Sequence, residues 1–218
     1  ERFQAEQKLA GNGAVNGYVD PVFRPYWGRR GMEYQKSFPL RARLKALEPY
    51  CDLLNDHDVG LESQKGPAVA ALFEDFAKVY ASFHENCNKP NFIVPENHLP
   101  NATNILPSVG AMRYLAFYNS AFAEYLMVRG WPGQSLTVTA DSIRFGSRLS
   151  RQQSLPVYLM ISFEMQSIGQ NTLAMTLETA PLKKLGPELE SVSKMLVETH
   201  PRRDYFLAGL EYEYYGLM

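Results

Sequence analysis

Between Ala111 and Val128 the chain is apolar on most sides: Met112, Leu115, Ala116, Tyr118, Phe122, Tyr125, Leu126 and Val128 recur, interrupted by Arg113, Asn119 and Glu124. A helix that is apolar nearly all round must be enclosed. The three polar interruptions break the run of ~20 apolar residues that a membrane span needs. The segment therefore predicts a central buried helix from about Ser108 to Arg129. Ser108 suits the N-cap, and Gly130 suits the position just past the C-terminus. Ala111, Ala116, Ala121 and Ala123 permit close packing against a neighbour.

A second helix is expected from Pro67 to near Asn86 to Asn88. Pro67 fits a first helical turn, and Val69, Leu72, Phe73, Phe76, Val79, Tyr80 and Phe83 form one apolar stripe. Shorter helices are read at 41–55 and about Pro187 to Thr199. Between them the period shifts to two. Leu136, Val138 and Ala140 alternate with Thr137 and Thr139. The phase flips at Asp141-Ser142, after which Ile143, Phe145 and Leu149 form the apolar set. Val157, Leu159, Ile161, Phe163 and Met165 alternate again, and after Gly169 so do Leu173, Met175 and Leu177. Alternation of this kind predicts half-buried strands joined in a meander. The expected fold class is α+β: two or three amphipathic helices packed on a small antiparallel sheet at about 135–179, with extended aromatic-rich terminal arms.

The arms follow from composition at the two ends. Residues 1–40 mix Gly11, Gly13, Gly17, Pro21, Pro25 and Pro39 with Tyr18, Phe23, Tyr26, Trp27, Tyr34 and Phe38. Such a density of Gly and Pro breaks regular structure, while the rings require burial somewhere. The chain thus divides into an N-terminal arm, 1–40, and a single domain, 41–218. The end is also aromatic, with Tyr205, Phe206, Tyr212, Tyr214 and Tyr215. Tyr26, Trp27, Tyr212, Tyr214 and Tyr215 are the candidate subunit-interface residues.

No nucleotide-binding glycine loop or nucleophile elbow occurs. Of the four histidines, His84 stands three residues before Cys87 on the expected helix, two ligands where a structural zinc site needs four. No metal, cofactor or catalytic residue is assigned. Two cysteines, Cys51 and Cys87, make no disulfide framework. Together with the lack of a membrane span, they favour a cytoplasmic or virion location.

One long helix followed by an antiparallel meander resembles, in element order, the hot-dog thioesterases and dehydratases. That resemblance implies an acyl-thioester hydrolase or acyl-binding protein with Asn119 and Glu124 as the polar groups of the helix and Glu124 as general base.

Charge is balanced overall, with 22 basic and 23 acidic residues, so a nucleic acid could be held only by a local patch. Such a patch exists between Arg24 and Lys45, where seven basic residues, Arg29, Arg30, Arg41 and Arg43 among them, face one acid, Glu33, with rings interleaved. Cations neutralise phosphates and rings stack on unpaired bases. Arg144 and Arg148 form a second cluster, which alternatively pairs with Glu164 and Glu178. The expectation is a non-enzymatic, self-assembling structural subunit of viral coat or nucleocapsid type. Its partners are copies of itself and single-stranded RNA, with no membrane. An interaction subunit of a larger cellular complex and the hot-dog enzyme are the alternatives.

Overall fold

The computed structural model describes Lys8 and residues 67–92, 106–151, 156–180 and 185–199. These form five helices: α1 (Pro67–Cys87), α2 (Leu106–Val128), α3 (Pro132–Ser150), α4 (Pro156–Thr179) and α5 (Gly186–Glu198). Among the described residues there is no sheet, which overturns the expected α+β architecture. No described helix is long and apolar enough to cross a membrane.

The expected strands are α3 and α4, and the packing explains why they read as strands. Helix α3 is the hub of the bundle: it packs against α1, α2, α4 and α5. One side supplies Val138, Phe145 and Leu149 to a large aromatic core shared with α1, α2 and α4. Another supplies Leu136, Ala140 and Ile143 to a smaller core under α5, with Leu173, Val192 and Met195. This two-sided burial leaves only a narrow stripe through Gln134, Thr137, Arg144 and Arg148 less buried, which blurs the one-faced 3.6-residue pattern of a surface helix.

The hydroxyl residues between these positions do not face water either. Thr139 Oγ1 donates to the Ser135 carbonyl at 2.9 Å, Thr172 to Ile168 at 2.9 Å and Thr176 to Thr172 at 2.8 Å. Such bonds one turn back satisfy a buried hydroxyl within its own helix. In α4 neither face of the expected strand survives: Tyr158, Ser162 and Gln166 of the outer set are buried while Met160 of that set is exposed, and so is Phe163 of the inner set. Burial at 158, 161, 162, 165, 168, 169, 172 and 176 has helical spacing.

Helices α3 and α4 make the closest pairing in the bundle, and two glycines permit it. A Cβ on Gly146 would lie 2.8 Å from the Ser162 carbonyl oxygen, and one on Gly169 would lie 2.7 Å from Ile143 Cγ1.

The turn from α2 into α3 is built as its sequence indicates. Gly130 has φ +81°, a conformation that costs glycine little. Its N–H bonds the Met127 carbonyl and the next N–H, of Trp131, bonds Leu126, both at 2.9 Å. This pair of bonds closes the helix end, and Pro132 then opens α3.

The aromatic core is strongest where α1 meets α2. Phe73 stacks on Tyr125 at 4.5 Å between centroids, and Phe76 meets Phe122 edge-on at 5.5 Å. The expectations for residues 1–40 (Lys8 apart, which is helical and exposed), 41–55 and 201–218 lie outside the described residues.

Candidate functional site

The largest polar constellation is centred on Asp141, in the middle of α3 and only 1% exposed. A buried carboxylate is tolerated only where donors replace its water. Here they come from two helices. Tyr80 and His84 stand one turn apart on α1, so both reach the same oxygen: Tyr80 Oη donates to Oδ2 at 2.8 Å and His84 Nδ1 approaches it at 2.6 Å. Arg144, one turn along α3, donates to Oδ1 at 2.9 Å and also reaches Asn88. Cys87 Sγ contacts the Asp141 carbonyl at 3.7 Å. The network ties α1 to α3 across 57 residues of sequence.

Its protonation follows from its geometry. A carboxylate only accepts, so the hydrogen between it and the ring belongs to His84 Nδ1. In the neutral ring Nε2 is then a lone-pair acceptor. Burial, first, and the adjacent Asp141 charge, second, push the Tyr80 hydroxyl pKa well above the ordinary phenol range.

The sign of the pH effect follows. Below about pH 10 the phenol is neutral in both folded and unfolded chains, so it adds no pH dependence. Above that, the unfolded phenol ionises while the folded one stays protonated, so stability falls as pH rises. Urea unfolding between neutral and strongly alkaline pH should show this decline, and Tyr80→Phe should make it shallower. An equally steep decline in the variant would place the alkaline loss elsewhere.

Two cavities border this network. A polar one of about 400 Å³ lies among α1, α3 and α5, lined by residues that include His84, Thr137, Arg144, Glu188 and Ser191. An apolar one of about 290 Å³ lies among α1, α2 and α3, against Tyr80, Phe122, Leu126 and Val138. His84 and Thr137 line both. A carboxylate-oriented imidazole is also the base of hydrolytic triads, which requires a hydroxyl against its second nitrogen. Thr137 instead donates to the Gly133 carbonyl at 3.1 Å, and the only described bond of the His84 ring is to Asp141.

The site residues expected from sequence are partly placed. Arg144 and Arg148 do share a face, of a helix rather than a strand. Both are engaged within the bundle: Arg144 with Asp141, and Arg148 with the Lys89 carbonyl at 2.7 Å. Burial pulls the Arg148 pKa below its ordinary value. Glu164, offered as their partner, pairs with Arg113 at 2.6 Å instead. Arg29, Arg30, Arg41, Arg43, Tyr26, Trp27, Tyr212, Tyr214 and Tyr215 lie outside the described residues.

The hot-dog reading loses its sheet. Glu124 is buried on α2, and Asn119 donates to Ser142 Oγ on α3 at 3.0 Å as an interhelix tie. Among the described residues no group of three or more His, Cys, Asp or Glu converges as metal ligands. Asp141 and Tyr80 are the residues that sequence reading missed. The signal was the Tyr80-His84 pair at i, i+4 together with an acid inside an apolar run. Comparison with protein-family models, curated proteins and solved structures finds no match for this chain.

Proposed function

We propose that this protein is a non-enzymatic structural subunit that works by associating with copies of itself. The observation that supports the reading best is on the outer side of α4. Met160 is 70% exposed and Phe163 38%, three residues apart and so on one helix face. The next residue, Glu164, pairs with the exposed Arg113 of α2, whose guanidinium also lies over the Phe117 ring at 5.6 Å. Apolar groups beside a charged rim have the anatomy of a protein interface. Adjacent opposite charges let such a patch match itself under a two-fold, the Arg of one copy facing the Glu of the other. The Asp141 network supports the same reading, because its donors hold helices together. The viral coat form of the proposal, with RNA on Arg29, Arg30, Arg41 and Arg43, is its most specific version.

Light-scattering mass on a sizing column, with absorbance at 260 and 280 nm, tests it. The wild type should elute as a multiple of the chain mass. Met160→Glu combined with Phe163→Glu should reduce that mass with helical circular dichroism unchanged. A wild-type monomer would overturn self-association. An assembly indifferent to the double change would move the interface off α4. Excess absorbance at 260 nm would support the RNA-binding version.

A further inference from the structure

We infer that the two cavities meeting at His84 and Thr137 form one groove that binds a small amphipathic ligand with a cationic, hydrogen-donating head. The argument is a count of donors and acceptors. In the polar cavity the Arg144 guanidinium donates through one nitrogen to both Asp141 and Asn88, and its charge cancels that of the buried Asp141. The Thr137 hydrogen is held by the Gly133 carbonyl, which leaves its oxygen as an acceptor. In the neutral ring, with Nδ1 donating to the carboxylate, His84 presents Nε2 as an acceptor. Its side chain is 46% exposed.

Glu188, in the first turn of α5, adds a carboxylate that has no ion pair among the described residues. Its side chain reaches toward Gly133, where a Cβ would meet Oε1 at 2.9 Å. Beside the charge-neutral Asp141–Arg144 pair the cavity therefore offers these lone pairs and a carboxylate without an ion pair among the described residues, the complement of an ammonium or amidinium group. The adjoining cavity, walled by Phe122, Leu126 and Val138, offers a small apolar compartment. Ligand sites combine these features: apolar walls with a few convergent polar groups. The inference does not rest on self-association, since neither Met160 nor Phe163 borders the groove.

Octylammonium chloride is the probe, with sodium octanoate and octanol as controls of equal chain length, titrated calorimetrically into the full chain. Octylammonium should bind tighter than either control by about tenfold or more, the scale of one charge-assisted hydrogen bond. Glu188→Gln should remove most of that preference while leaving the weak octanol affinity in place. Gln134→Trp, an exposed residue bordering the apolar compartment, should weaken all three by filling the compartment. Circular dichroism melts confirm that each variant folds. Absent octylammonium binding, octanoate binding at least as tightly, or a preference unchanged in Glu188→Gln would each overturn the inference.

Discussion

Asp141→Ala is expected to lower the free energy of unfolding by about 3 kcal/mol, the lower end of what removing one partner of a buried ion pair costs. The carboxylate is enclosed, and its loss strands Tyr80 Oη, His84 Nδ1 and the Arg144 guanidinium together. The cost stays at the lower end because Arg144 and His84 are partly exposed and can turn to water. Asp141→Asn should recover part of the loss. Its amide oxygen can still accept from Arg144, and its NH2 can donate to the Tyr80 oxygen or, in the other ring tautomer, to His84 Nδ1, so what is lost is the charge of the carboxylate. Urea unfolding of both variants at neutral pH reads the difference. A loss under about 1 kcal/mol in Asp141→Ala would mean that the network contributes no more than one ordinary hydrogen bond.

Phe145→Ala should cost as much or more, about 3–5 kcal/mol. Phe145 is fully enclosed on α3, with its ring 5.4 Å from Phe83 of α1 and 5.1 Å from Phe92 of the segment that follows α1. Removing it opens a cavity where three parts of the chain meet, next to the close α3–α4 pairing. The backbone there cannot collapse inward, because Gly146 already brings α4 as near as a Cα allows. Phe145→Leu keeps most of the volume and should cost clearly less. Equal losses for Ala and Leu in chemical unfolding would show that ring contacts, rather than filled volume, set the cost.

Helices α1, α2 and α5 are legible in the sequence because local signals and burial agree there. The α1 stripe through Phe73, Phe76 and Phe83 is one-faced, Pro67 and Gly130 stand at helix ends, and the apolar run of α2 correctly indicates enclosure. Helices α3 and α4 are not legible, for a physical reason. Their Thr, Val, Ile and aromatic residues suit a strand by intrinsic preference. Buried Ser, Thr and Asp141 on α3 and exposed Met160 and Phe163 on α4 blur the boundary between polar and apolar faces that would set the period. Tertiary packing and bonds one turn back, such as Thr139 to Ser135, override that preference.

The candidate site was half visible. Arg144 was singled out for a phosphate, but the charge it meets is Asp141, from its own helix. Asp141 read as a phase break between strands, because its donors Tyr80 and His84 lie about sixty residues upstream. No local pattern links them.

The hub position of α3 also ranks the bundle by how readily its parts can part from one another. Helix α3 packs against four neighbours, so most of its amides should meet solvent only when the bundle opens. Helix α5 packs principally on α3 through one small apolar cluster. Among the described residues those contacts are what holds it. Because α5 carries Glu188, Ser191 and Val192, one wall of the groove belongs to the helix with the smallest share of the described core.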